Sequence, residues 1–226
     1  MSGTGLKLLA VFFMLLDHIG EVFAEDPILP SGLYSPAQIA FWLRGIGRLS
    51  FPIYSFLLTE GFVHTRNRAR YAVRLGEMAL LSEVPFDLMR CGEKIAWDTQ
   101  NVCWTLLLGL LGMILIDRFR GEQNFISLLL ITAAVCGSAE LLRSDYGALG
   151  VFGILLLYLL RYDRRTQCYC GSILFLYEIP ASLAFLLIRL YNGSRGSGRG
   201  SGLFYTVYPL HMLLLAGIRQ MLKGSL

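Results

Sequence analysis

The 226-residue sequence has no glycine-rich phosphate loop, no nucleic-acid-binding signature and no segment that reads as a soluble domain. These gaps exclude the common nucleotide-driven and nucleic-acid classes, and the formal charge of +4 is explained by basic loops rather than by a nucleic-acid partner. Cysteine is sparse and scattered: Cys91, Cys103, Cys136, Cys168 and Cys170 show no metal-type spacing with histidines. An odd number argues against a complete disulfide framework, so they read as small apolar packing residues and no metal is expected. Charge is scarce as well, at 16% of residues against 55% hydrophobic, with mean hydropathy +0.56. That leaves too little polar surface to cover a soluble globule, and predicts an all-α, polytopic integral membrane helical bundle.

Apolar runs long enough for a bilayer predict about eight transmembrane helices, near 6–23, 37–63, 70–90, 102–117, 125–142, 147–161, 168–190 and 203–222, in a single domain over 1–226. The first run is read as a retained span, because no small-residue cleavage site follows it. The second is long enough to bend, and Gly45, Gly47 and Pro52 offer places to do so. Pro85 and Pro180 interrupt the third and seventh.

Basic residues set the expected orientation. Arg66, Arg68, Arg70 and Arg74 follow the second span, Arg118 and Arg120 the fourth, Arg161, Arg164 and Arg165 the sixth, and Arg219 and Lys223 close the chain. The opposite face takes Glu25-Asp26, a mixed loop with Arg90, Glu93, Lys94 and Asp98, and the Arg143–Asp145 turn. Both termini are therefore expected in the cytoplasm, with the protein in the bacterial inner membrane and the lipid bilayer as a partner. One basic loop, Asn192 to Gly200, falls on the outer face of this scheme and conflicts with it.

Within this apolar chain stands an acid-histidine pair, Asp17-His18, where ionisable groups are expensive and signal function by default. Lys7 lies eleven residues earlier on nearly the same helix edge, about 16 Å away along the axis. Arg44 and Arg48 share a face at a spacing of four, as do Glu60 and His64, and Glu83 and Asp87. Gln100 and Asn101 open the fourth helix, Glu140 and Asp145 flank the turn into the sixth, and Tyr205, Tyr208 and His211 lie early in the eighth.

Structural roles compete for several of these residues. Arg44 and Arg48 are as readily partners of Glu83 and Asp87 in buried ion pairs, His64 and its arginines a solvated loop, and Gln100 and Asn101 a helix cap. Tyr205 and Tyr208 suit an interfacial belt. Placed by depth, His18, Arg44, Arg48, Glu83, Asp87, Gln100, Asn101, Asp145, Tyr208 and His211 describe a polar cavity open outward, with Lys7, His64, Arg66 and Arg68 as a cationic inner mouth. This layout suits transfer of a group from a cytosolic anionic donor to an outer acceptor. His18 would act as general base, an acid would hold its tautomer, and arginine would stabilise an oxyanion.

Lys7 to Gly20 (KLLAVFFMLLDHIG), Arg44 to Phe56 (RGIGRLSFPIYSF), Glu60 to Arg68 (EGFVHTRNR), Ser82 to Asp87 (SEVPFD), Gln100-Asn101-Val102, Asp145-Tyr146-Gly147 and Tyr205 to His211 (YTVYPLH) resemble the TraX family of polytopic membrane proteins. The matches are spread over nearly the whole chain in the family's order. Lys7-x10-His18 is also similar to the basic-x10-histidine signature of the wider transmembrane acyltransferase group. The resemblance implies acetyl-CoA as donor, His18 as catalytic residue with Asp17 beside it, and Lys7, Arg44 and Arg48 as the charged lining that places acyl-CoA. Arginines 66, 68 and 70, with His64, are assigned to its phosphates by their side of the membrane. At 226 residues the chain is smaller than the larger acyltransferases, which leaves room for a homo-oligomer to complete the donor site.

The expectation is an acetyl-CoA-dependent O- or N-acetyltransferase acting on an extracytoplasmic pilin N-terminus, glycan or other surface molecule, by direct transfer or an acetyl-histidine relay. A proton-coupled transporter or flippase using Asp17, Glu83 and Asp87 is the competing class, though no second span mirrors the first. A pilus-assembly scaffold is the third.

Overall fold

The computed structural model describes residues 1–25, 35–92, 95–119, 125–196 and 203–224. Calls on residues 26, 93, 94, 120 and 197–200 therefore lie outside the described residues. Every regular element described is helical. The chain divides into two compact units, one built from Met1–Tyr54, Val84–Ile95 and Ser172–Leu226, the other from Ser55–Glu83 and Ala96–Gly171. No linker marks these divisions, because several fall inside continuous helices.

In the first unit, α1 (Gly3–Glu25) buries Leu6, Ala10, Met14, His18 and Val22. A four-residue stride keeps one face inward, so His18 continues an apolar stripe while Asp17 is turned about 100° away. The first amides of α1 find acceptors in the loop before the last helix: Gly3 donates to Ser194 O at 2.8 Å and Thr4 to Arg195 O at 3.2 Å. These bonds satisfy donors that a helix start leaves orphaned. They also bring Ser194 and Arg195 to the N-terminal end of α1, whereas the eight-span scheme sets that loop on the opposite face.

A Ser35/Gln38 capping box and a first-turn proline start α2 (Pro36–Gly47). The expected span 37–63 is two helices, since the chain breaks after Gly47 and resumes as α3 (Ser50–His64). Ser50 then donates to Ala10 O at 2.9 Å, fixing the new helix to α1. Pro52 sits in the first turn of α3, where its missing N–H costs little. Next, α4 (Arg68–Arg90) runs 23 residues through Pro85 without a break.

The second unit contains α5 (Val102–Arg118), α6 (Phe125–Leu141) and α7 (Gly147–Leu159). Packing is close enough that a Cβ on Gly109 would stand 2.6 Å from Ile154 Cδ1. Phe62 meets Tyr158 edge-on with ring centroids 5.2 Å apart. Asp163 caps α8 (Arg164–Leu174), its carboxylate accepting from the Arg165 amide at 3.0 Å and the Thr166 hydroxyl at 2.5 Å.

Instead of one seventh span over 168–190, the chain passes from α8 through a 3-10 turn at Phe175–Tyr177 into α9 (Ile179–Ser182) and α10 (Ala184–Arg189). In the first unit this segment starts beside Phe51, whose ring lies 6.0 Å from Phe175. It ends where Leu190 O accepts from the Met1 amino group at 2.6 Å. Finally, α11 (Leu203–Gly224) runs parallel to α1, with His211 meeting His18. Arg219 donates to the carbonyls of Met89 and Arg90 at 2.9 and 2.7 Å.

Among the described residues no helix is long and apolar enough to cross a membrane. At 17 residues each, α5 and α6 rise about 25 Å, against a hydrocarbon core of about 30 Å. The longer α1 and α4 carry charges along their length.

Candidate functional site

Helix α1 crosses α2 so tightly that a side chain on Gly47 would overlap the Asp17 backbone, its Cβ 2.6 Å from Asp17 Cα. Only hydrogen fits there. This crossing brings the paired acids of α1, Asp17 and Glu21, against the paired arginines of α2. Asp17 Oδ1 lies 3.9 Å from Arg44 and 3.7 Å from Arg48. Glu21 lies 3.8 Å from Arg44 and 3.7 Å from Arg90, and Arg48 faces Glu178 at 3.5 Å. Three carboxylates and three guanidiniums thus form a charged cluster, linked in the order Arg90–Glu21–Arg44–Asp17–Arg48–Glu178, in which these five separations exceed ordinary hydrogen-bonding distance. Asp17 Oδ1 and Glu178 Oε2 are buried with no hydrogen-bond partner.

Beside this cluster, on the inward stripe of α1, His18 is 8% exposed. Its Nδ1 lies 2.5 Å from His211 Nε2, with the ring planes within 2° of parallel and the centroids 4.8 Å apart, so the rings meet edge to edge. His211 Nδ1 in turn reaches the carbonyl of Val207 at 2.7 Å. The Tyr208 ring stands 6.3 Å from His18 and 5.8 Å from His211. One face of α11 supplies these contacts, since Tyr208, His211, Met212, Leu215 and Arg219 are all buried along it.

Sequence reasoning placed His18, Arg44, Arg48, Tyr208 and His211 in one site, and the first unit brings them together. It did not find the right partners. An acid was expected to hold the His18 tautomer, whereas Asp17 faces the arginines and the second histidine holds His18. Arg44 and Arg48 were weighed as partners of Glu83 and Asp87, but they meet Asp17, Glu21 and Glu178. Glu21 and Glu178 were missed altogether. The signal for Glu21 was present, because two acids four apart on one helix match two arginines four apart on the next.

Other expected cavity residues belong to the second unit and have structural tasks. Glu83 accepts from the Asn101 amide at 3.2 Å, Asn101 Nδ2 at 2.6 Å and Trp104 Nε1 at 2.7 Å. Asn101 also caps α5, its side chain accepting from Cys103 N at 3.0 Å. Gln100 pairs its backbone with the 143–145 turn, donating to Arg143 O and accepting from Asp145 N at 2.9 and 3.0 Å. Asp145 itself is exposed. Asp87, in the first unit, is buried on α4.

The expected inner mouth is mixed in character. Lys7 is half-buried near the start of α1. His64 is exposed with Nδ1 at 2.8 Å from Glu60 O, and Arg66 is exposed. Arg68, expected to meet a donor phosphate, is instead committed to Asp117, which also accepts from Tyr158 OH at 3.0 Å. Arg164 similarly binds Glu60 at 3.3 Å. Among the described residues no group of histidine, cysteine and carboxylate side chains is placed to hold a metal ion.

Comparison with known proteins extends over this whole arrangement. A probable fimbrial assembly protein FimC, serogroup H1, of Dichelobacter nodosus is 28% identical over 252 residues, covering 98% of this chain and 97% of the relative. No solved structure matches the chain. The family model described as TraX protein matches residues 2–219, which include both histidines and all six members of the charged cluster. The chain belongs to the TraX protein family.

Proposed function

We propose that this protein is a membrane-embedded acetyltransferase serving fimbrial assembly, with His18 as general base and acetyl-CoA as donor. The observation that carries the reading is a buried imidazole held by a second imidazole beside a cluster of loosely paired charges. Asp17, the neighbour of His18 on α1, faces Arg44 and Arg48, which sets the pair beside these cations.

In the proposed reaction His18 takes the proton from the acceptor's amine or hydroxyl as that atom bonds to the acetyl carbon. An arginine of the cluster stabilises the oxyanion, the carbon–sulfur bond breaks, and the CoA thiolate recovers the proton from His18.

Placement in the bacterial inner membrane is part of the proposal. It is supported by large apolar side chains facing outward, among them Phe41, Trp42, Leu80, Leu81, Phe125 and Leu130, all more than 60% exposed. Charges on α1 turn toward α2, while Leu8 and Phe12 of the same helix are exposed. Broken backbone such as 175–190 is tolerated at membrane depth where protein surrounds it.

The relative's name favours a second reading, an assembly scaffold without chemistry. One experiment separates the two. Purified protein in proteoliposomes is given labelled acetyl-CoA and an extract of surface proteins and glycans, and His18→Ala is tested for restoring fimbriae to a deletion strain. The acetyltransferase reading expects labelled product and CoA release from wild type, and neither product nor fimbriae from the folded variant. Fimbriae restored by His18→Ala would favour the scaffold.

A further inference from the structure

Two hydrogen bonds in series determine which nitrogen of His18 is left to act. A carbonyl oxygen only accepts, so the 2.7 Å contact between His211 Nδ1 and Val207 O requires the proton on His211 Nδ1. In a neutral imidazole the other nitrogen is then a bare acceptor. That nitrogen, His211 Nε2, lies 2.5 Å from His18 Nδ1, which must therefore donate and carry its own proton. For two neutral rings, no other arrangement satisfies both contacts. His18 Nε2 is left with its lone pair.

We propose that His211 is a positioning residue that holds His18 in the Nδ1–H tautomer, making Nε2 the atom that accepts the substrate proton. The consequence for catalysis rests on the acetyltransferase reading; the tautomer assignment does not. Near-parallel rings and the buried faces of α1 and α11 keep the two nitrogens in register. After proton uptake at Nε2, the His18 Nδ1–H bond still points at a neutral acceptor, so the imidazolium is stabilised without a carboxylate. Among the described residues, the titratable and charged groups around His18 are Asp17 and Glu21 on its own helix, Arg44 on α2 and Arg48 at its C-cap, Glu178 beyond Arg48, Arg90 of α4 beyond Glu21, and Tyr208 and His211 on α11.

The test uses the full chain in nanodiscs, labelled with nitrogen-15 histidine. Substituting His64, the only histidine outside the pair, simplifies the assignment. Nitrogen spectra should show both His18 and His211 as Nδ1–H tautomers, although free histidine favours Nε2–H. A protonated Nε2 on neutral His18 would overturn the proposal whether or not acetyl transfer is detected. In turnover, His211→Leu removes the acceptor and should lower kcat about a hundredfold with KM for acetyl-CoA unchanged. His211→Gln presents an amide oxygen at similar reach and should recover most of that loss. Equal kcat in wild type and a folded His211→Leu would overturn the positioning role. If wild type itself transfers no acetyl group, the functional reading fails and the spectra still decide the tautomer. If the leucine variant does not fold, the glutamine variant and the spectra carry the test.

Discussion

Two sites, one in each unit, meet their charges in opposite ways. In the second, Glu83 takes three donors at 2.6–3.2 Å and Asp117 binds both Arg68 and Tyr158. In the first, ion pairs stand at 3.5–3.9 Å, and two carboxylate oxygens have no hydrogen bond. A fully satisfied polar network specifies packing, whereas a partly satisfied one is costly to keep. Loosely met charges beside an imidazole pair are the arrangement expected where a bound molecule completes the contacts. Glu83 and Arg48, indistinguishable as intramembrane charges in the sequence, thus belong to different kinds of site.

Substitutions can break this contrast. His18→Ala should have the largest effect, lowering acetyl transfer by about 10²–10⁴ with the melting temperature nearly unchanged, as measured with labelled acetyl-CoA. Glu83→Ala should do the reverse. It strands the donors of Asn101 and Trp104, costing about 3 kcal/mol of stability, while the folded fraction retains its turnover per molecule. A selective loss of kcat in folded Glu83→Ala would place Glu83 in the chemistry and dissolve the distinction between the units. Gly47→Ala forces α2 off Asp17 and should cost about 2 kcal/mol, with turnover impaired as the charged cluster is displaced; parallel thermal melts and rate measurements would show both.

The smallest expected effect concerns Asp163, held below the ordinary aspartate value of 3.8 chiefly by the Thr166 hydroxyl and then by the Arg165 amide. A folded-state value below the unfolded one stabilises above the unfolded value and is lost as pH falls through the folded one. Asp163→Ala should therefore lower the melting temperature slightly at neutral pH, with the difference from wild type fading in strong acid. A difference that persists or grows in acid would rule out the capping account.

Helix content and the presence of a charge-bearing pair at His18 within a helix were legible from the sequence because they depend on local signals. Apolar runs announced the helices, and charge inside an apolar run announced His18. Partner choice was not legible, since it depends on where helices cross. The Gly47–Asp17 approach aligns two i, i+4 pairs that no spacing rule connects. The breaks after Gly47 and within 175–183 were only partly legible: glycine and proline marked places to bend, but hydropathy runs continue across both. The contact of Ser194 and Arg195 with the start of α1 was not legible either, because the reading took 168–190 as one span.

The hydrogen bond between His18 and His211 joins residues 193 positions apart. A ribosome adding about 5–20 residues per second needs tens of seconds or less to cover that distance, and throughout it the first helix exists without the last. His18 is therefore made well before the residue that meets its Nδ1, and a chain interrupted between the two helices carries one ring of the pair without the other.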